Sequence, residues 1–169
     1  LIIDLRDNGG GLINEACKIA SLFVPKGTEI VSTKGKDEGQ NFSYETTSEP
    51  SYETMPLVVL VNGFSASASE ILAGAFQDLD RATIIGTKTF GKGLVQGIRQ
   101  MPYKGFLKLT TARYYTPSGR CVQAINYNKH TLKSSADNSK NVFFTKSGRM
   151  VLGGGGITPD SILNKKKKV

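Results

Sequence analysis

The chain has 169 residues, of which 38% are hydrophobic and 21% are charged, with 22 Lys and Arg against 14 Asp and Glu. This length suits one ordinary domain, and the composition is too apolar for a disordered chain and too polar for a membrane-spanning one. Two cysteines and one histidine argue against a disulfide framework and against a metal site, so we expect no metal. Residues 165–168 are four lysines that supply half of the net charge of +8, and no basic stripe interleaved with aromatic residues predicts a nucleic-acid surface.

The first half of the chain has the pattern of an α/β protein. Residues 1–5 predict a buried strand, and because the chain opens in it without a targeting segment, we expect a fragment of a longer protein. Residues 12–24 predict a helix that ends before Pro25 and Gly27. Five consecutive aliphatic residues, 57–61, are typical of a strand covered on both faces. A helix over 67–79 and a strand over 82–85 complete a βαβ unit with parallel strands.

The remaining segments have the period-two alternation of antiparallel strands or a polar, irregular composition. Residues 94–98 and 106–116 predict strands with this alternation, and residues 29–33 predict a shorter strand. Residues 34–55 read as a surface hairpin or loop. Residues 126–148 are polar and irregular apart from the apolar patch Val142–Phe144.

Ser67 is a candidate nucleophile because it stands where the buried strand 57–61 gives way to a helix. Ligands of α/β proteins collect at such strand ends, and the backbone N–H groups of a helix start can stabilise an oxyanion. Ser67 and Glu70 also match the capping box S-x-x-E, which would only stabilise the helix by about 1 kcal/mol. This segment alone leaves both interpretations open.

If Ser67 is a nucleophile, its base has to be a residue other than histidine, and a lysine is the candidate. His130 lies in a polar stretch and is expected to be a solvated loop residue, so a Ser-His-Asp triad lacks its histidine. A lysine acts as a base when it is neutral, and apolar surroundings lower its pKa. Lys92 has such neighbours in the sequence: Phe90, Leu94 and Val95. Lys88 is the competing lysine, and its more polar surroundings predict a solvated side chain.

Residues 86–93 nearly match the phosphate-binding pattern G-x-x-x-x-G-K-[ST] after a strand. Gly93 stands where the pattern requires a hydroxyl, and the residues after it are strand-like, whereas a phosphate-binding loop must open a helix. We therefore expect no nucleotide and no other cofactor.

Several motifs follow one another in a fixed order: Asp-Leu-Arg-x-Asn-x-Gly-Gly over 4–11, Ser-Ala-Ser-Ala-Ser-Glu over 65–70 and Gly-Lys-Gly-x-x-Gln over 91–96. With residues 109–120 and 156–160, this set resembles the C-terminal processing peptidases, also called tail-specific proteases. The chain departs from that family at Gly9, where the family usually has proline. Three consecutive glycines make the loop more mobile than the family pattern.

The resemblance implies a serine endopeptidase with a Ser-Lys dyad that cleaves proteins near their C-termini. It assigns the nucleophile to Ser67, the general base to Lys92 and the residue that orients this lysine to Gln96. The oxyanion donors would be the backbone N–H groups of Ala68 and Gly10. The alternative is a non-catalytic module on the same fold that binds a peptide or a lipid ligand.

The resemblance also implies an α/β fold of the crotonase/Clp-protease kind, with a core of mixed β-sheet and flanking helices, here as a fragment of a larger catalytic domain. Residues 1–164 would form the peptidase core and 165–169 a basic tail. The parent chain would add a PDZ module and N-terminal helices, and would act on extended protein C-termini in the periplasm or another extracytoplasmic place. Cys17 is expected to pack on its helix, and whether it pairs with Cys121 is left open.

Overall fold

The computed structural model describes residues 1–124 and 141–163. Its helices and strands, in chain order, are β1 (Ile2–Asp4), α1 (Ile13–Ala20), β2 (Glu29–Gly35), β3 (Phe42–Glu45), β4 (Val58–Val61), α2 (Ala68–Asp78), β5 (Thr83–Gly86), β6 (Leu94–Gln100), β7 (Phe106–Tyr115), β8 (Val142–Phe144), β9 (Met150–Leu152) and β10 (Ser161–Ile162). Two short 3₁₀ turns, Glu38–Gln40 and Pro102–Lys104, lie in hairpin connections.

The first sheet is parallel and has the strand order β1-β4-β5-β10. It contains the predicted β4-α2-β5 unit, and Val59 and Val61 of β4 are almost completely buried. The prediction of a buried opening strand was wrong, because β1 pairs only with β4 among the described strands and Ile2 is 65% exposed. The parallel unit and the strand–helix order confirm the α/β class.

The second sheet is antiparallel, with the order β3-β2-β7-β6, so β6 is one of its edges. The segment 34–55, predicted as a hairpin or loop, supplies β3, which pairs back onto β2. A bulge interrupts the β6–β7 ladder, where Val95 lies opposite Ala112 and Gln96 opposite Thr110. Thr111 is therefore skipped in the pairing with β6. The predicted mixture of strand directions is divided between these two sheets, and β8 and β9 form a separate ribbon.

Helix α2 is buried along its whole length and contacts both β5 and β2, so it lies between the two sheets. Helix α1 packs on α2, which gives the chain one shared core. Helix α1 ends at Ala20, four residues before the predicted end, and the buried residues Phe23 and Val24 follow in a turn. Cys17 of this helix is buried as expected, whereas the apolar residue Ile19 is 40% exposed.

Cys17 and Cys121 are both free thiols. No helix in the two described ranges is long and apolar enough to cross a membrane. His130, the lysines of residues 165–168 and most of segment 126–148 lie outside the described residues, so the expectations about them and about the division at residue 164 stay predictions.

Candidate active site

Three loops at the carboxyl ends of the parallel strands build the site. The loop after β1 and the loop after β4 are joined by hydrogen bonds, among them Ala66 N–H to the Asn8 carbonyl at 3.0 Å and Ser65 Oγ to the Leu5 carbonyl at 2.7 Å. The loop after β5, which carries Lys92, joins them through Phe90 N–H and the Ser65 carbonyl at 3.1 Å. This edge of a parallel sheet is where α/β proteins bind ligands.

Ser67 precedes the first residue of α2 and has an unusual backbone, with φ of 58° and ψ of −120°. An ordinary helix N-cap has extended dihedrals, and a non-glycine residue at positive φ is strained by about 1–3 kcal/mol. Glu70 N–H donates to the Ser67 carbonyl at 2.8 Å, while the Glu70 carboxylate accepts from Ser67 N–H at 3.1 Å. The capping partner predicted from sequence is therefore present, and Ser67 also carries the backbone strain that is common at functional turns.

Glu70 connects the serine turn to the lysine loop. Its buried carboxylate accepts hydrogen bonds from Thr89 Oγ1 at 2.6 Å, Gly91 N–H at 2.8 Å and Lys92 N–H at 2.8 Å, in addition to Ser67 N–H. Burial raises the pKa of Glu70, and these four donors counteract that rise only in part. Sequence reasoning gave Glu70 only a capping role, because nothing in the local pattern shows that Thr89 and Gly91 approach it.

Ser67, Lys92 and Gln96 line one cavity of about 460 Å³. Ser67 and Lys92 are half-buried, whereas Gln96 is exposed on β6. The structure thus brings the three side chains predicted for catalysis to one cavity. Its other lining residues are Gly11, Asn14, Lys108 and the apolar or aromatic residues Leu12, Ile13, Tyr44, Ile71, Leu94, Val95, Ile98 and Tyr114.

The surroundings of the lysines differ in part from the prediction. Leu94 and Val95 line the cavity beside Lys92, but Phe90 is 56% exposed and lies outside it. The chain turns between Phe90 and Lys92 because two N–H groups of this loop bind Glu70, which leaves the Phe90 ring on the surface. The competing Lys88 is exposed and places its Nζ against Gly155, away from this cavity.

The two predicted oxyanion donors lie next to each other but differ in their hydrogen bonding. A Cβ atom on Gly10, which has a φ of 94°, would lie 2.8 Å from the Ala68 nitrogen, so the two backbones are in contact. Ala68 N–H has no acceptor within residues 1–124 and 141–163. Gly10 N–H donates to Asn8 Oδ1 at 2.9 Å, so it can reach an oxyanion only after that bond is broken.

Tyr114 of β7 is a site residue that sequence reasoning missed. Its side chain is 1% exposed, lines the cavity and places its hydroxyl at the Lys92 and Ser67 carbonyl oxygens. Strand alternation places Tyr114 on the same face as Ala112, but it does not show which face of β7 meets the serine turn. Among the residues that the structure describes, no group of three His, Cys, Asp or Glu side chains is placed to hold a metal ion.

Comparison with known proteins gives the site its context. The chain is 50% identical over 124 residues to a carboxy-terminal-processing protease of Bartonella bacilliformis, an alignment that covers 73% of this chain and 28% of that protein. A solved photosystem II D1 C-terminal processing protease superposes with a TM-score of 0.71 at 31% identity, over 97% of this chain and 34% of the other. A lipoprotein from Streptococcus agalactiae, at 18% identity and a TM-score of 0.61, shares the fold over 96% of this chain and 50% of its own.

The chain spans about a third or less of the length of the two processing proteases it matches. The superposition on solved structures confirms the predicted α/β core as part of a larger domain. The model of peptidase family S41 matches residues 1–131, and the predicted resemblance to C-terminal processing peptidases is confirmed. The chain belongs to peptidase family S41.

Proposed function

We propose that this chain carries the catalytic core of a serine endopeptidase that cleaves proteins near their C-termini. The observation that supports it most directly is the cavity lined by both Ser67 and Lys92, with Ser67 at a strained turn before a helix. A serine on such a turn presents its hydroxyl beside the N–H groups of the helix start. Membership in family S41 supports the same reaction class.

In the proposed reaction, Ser67 Oγ attacks a substrate peptide carbonyl while the neutral amine of Lys92 takes the hydroxyl proton. The carbonyl oxygen becomes an oxyanion that accepts a hydrogen bond from Ala68 N–H, and from Gly10 N–H once Asn8 releases it. The Lys92 ammonium returns the proton to the leaving amine, and an acyl ester on Ser67 remains. Water then attacks this ester while Lys92 takes one of its protons. The Lys92 ammonium returns that proton to Ser67 Oγ as the bond between Oγ and the acyl carbon breaks, and the carboxyl product leaves. Gln96 orients the Lys92 amine throughout.

The exposed edge of β6 is the proposed substrate-binding strand. It begins at Leu94, two residues after Lys92, and its outer side pairs with no described strand. An extended peptide that adds to this edge through main-chain hydrogen bonds would pass the cavity that holds Ser67. The substrate class is therefore an unfolded protein segment, bound in strand conformation.

Two further parts of the proposal concern the whole protein. We expect a PDZ module in the full-length chain that presents substrate C-termini, and a location outside the cytoplasm, because both are implied by the resemblance to tail-specific proteases. Cell fractionation tests the location, and truncation of that module tests the presentation of substrates.

The test is cleavage of an unstructured peptide by the full-length protein, with the cut position determined by mass spectrometry. We expect Ser67→Ala and Lys92→Ala each to lower kcat by about 10⁴-fold or more, because nucleophile and base act as one unit. Lys88→Ala is the matched control and should retain activity, since Lys88 is exposed and outside the cavity. Peptide binding without cleavage by the wild type would instead indicate the non-catalytic module, and equal rates for wild type and Lys92→Ala would remove lysine from the mechanism.

A further inference from the structure

Two groups approach the backbones of Ser67 and Lys92 from different elements. On one side the Glu70 carboxylate accepts from the N–H groups of both residues. On the other side the Tyr114 hydroxyl donates to the Lys92 carbonyl and lies 3.3 Å from the Ser67 carbonyl. The peptide groups of the candidate nucleophile and base are thus bound at both their N–H and C=O ends.

We propose that Tyr114 is a positioning residue, whose hydroxyl sets the separation of Ser67 and Lys92 by bridging their backbone carbonyls. This inference rests on the proposed function and adds to it a residue outside the dyad. Tyr114 acts through the two main chains and does not itself touch the substrate's reacting atoms.

Tyr114 lies within strand β7, and the strand holds it in place for this role. Its own N–H donates to the Gly93 carbonyl at 3.0 Å, so the same residue binds the lysine loop at two successive carbonyls. Across the sheet it lies opposite Thr33 of β2, inside the regular ladder. The phenol is therefore held by a paired strand, while the loop that carries Lys92 has no regular structure of its own.

The hydroxyl stays a donor over the whole pH range of a protease assay. Burial raises the pKa of Tyr114 well above its usual value, and the nearby negative charge of Glu70 raises it further. A neutral phenol has one proton to donate, and two carbonyls share it here. Its removal would leave the Lys92 carbonyl without this donor, whereas the Ser67 carbonyl would keep the N–H groups of Glu70 and Ile71.

The experiment is steady-state cleavage by the full-length Tyr114→Phe variant, with Ser67→Ala as the reference for the proposed function. We expect kcat to fall by about 10- to 100-fold with little change in KM, because misplacement of the reacting groups affects the chemical step and leaves the β6 edge intact. Tyr115→Phe is the matched control, since Tyr115 is outside the cavity and contacts Lys34. Ile84→Val, in the core of the parallel sheet, controls for lost stability.

The results separate the two proposals. If Ser67→Ala is inactive and Tyr114→Phe keeps the kcat of wild type, or loses no more than Ile84→Val, the positioning role is overturned and the proposed function stands. If Ser67→Ala retains activity, both fall together. Should Tyr114→Phe fail to fold, 3-fluorotyrosine at position 114 retains the ring and hydroxyl but alters the donor strength. The positioning role is supported if 3-fluorotyrosine at position 114 changes kcat and 3-fluorotyrosine at position 115 does not. It is overturned if the two substituted proteins have the same kcat.

Discussion

The two ends of helix α2 each bury a carboxylate but stabilise it in different ways. At the N-terminal end, Glu70 is 0% exposed and is bound by four uncharged donors. At the C-terminal end, Asp78 is 2% exposed and lies 2.7 Å from Nη2 of Arg120, whose own exposure is 1%. The helix dipole favours the first carboxylate and opposes the second, so only the second requires a buried cation.

The two carboxylates of this eleven-residue helix therefore serve different purposes: Glu70 belongs to the candidate site, and Asp78 stabilises the fold. A guanidinium beside Glu70 would put a permanent positive charge next to Lys92, which must be neutral to act as the proposed base. The site end of α2 therefore relies on backbone and hydroxyl donors and tolerates a strained Ser67, whereas the distal end uses a buried ion pair. Local rules are broken at the end where chemistry is proposed.

The largest expected effect is a loss of stability when the ion pair at the C-terminal end of α2, the distal end, is broken. Arg120→Met leaves Asp78 as a buried, unpaired charge, which costs about 3–5 kcal/mol of the free energy of unfolding. Urea denaturation measures this cost, and Arg149→Met is the matched control. Arg149 also pairs with aspartates but its side chain is 45% exposed, so its loss should cost about 1 kcal/mol or less. Equal costs for the two variants would contradict the structural role of the distal pair.

The next largest effect is expected from Gly10, which contacts the N-terminal end of α2, the site end. Gly10→Ala would place a Cβ atom 2.5 Å from the Ala66 carbonyl oxygen at a φ of 94°, so the serine turn has to shift. We expect a loss of about 1–3 kcal/mol in unfolding free energy and of about 100-fold in peptide cleavage. Gly9→Ala is the control, because a Cβ there meets nothing within 4 Å. Similar cleavage rates for the two variants would show that the close approach of Gly10 is not needed.

A smaller effect concerns the pH dependence of stability. Burial raises the folded-state pKa of Glu70 above its ordinary value of 4.5, so the native state binds more protons than the unfolded state between these two values. The free energy of unfolding should therefore fall as pH rises through that window, by about 1.4 kcal/mol per unit of pKa difference. Glu70→Gln should lack this slope. Urea titrations of both proteins from acid to neutral pH check it, and parallel curves would contradict the prediction.

The smallest effect has the opposite sign. Burial alone would raise the pKa of Asp80, but hydrogen bonds from Arg149 and Ser147 outweigh it and lower the pKa below 3.8. Its stabilisation is present above pH 3.8 and is lost as pH falls through the folded-state pKa. Asp80→Asn should cost about 1 kcal/mol or less at neutral pH, and the difference should vanish in acid. A difference that grows in acid would reverse this assignment.

Sequence alone predicted the βαβ unit, because β4 is a continuous aliphatic run. The resemblance of the motifs to a known family singled out Ser67, Lys92 and Gln96, which line one cavity. Sequence reasoning placed β1 correctly but predicted it as buried, since an apolar run does not say whether other elements cover the strand. It also missed Tyr114 and the bridging role of Glu70. Both act through contacts between residues more than twenty positions apart, which periodicity cannot register.

The extra residue at Thr111 changes which side chains of β7 share a face. Val95 lies opposite Ala112 and Gln96 lies opposite Thr110, so Ala112 and Thr110 project from opposite faces of the sheet although they are two residues apart. In a strand without the extra residue, Thr110 and Tyr114 would share one face, whereas here Tyr114 shares its face with Ala112 and Val95. The proposed role of Tyr114 thus depends on a single-residue phase shift within its own strand.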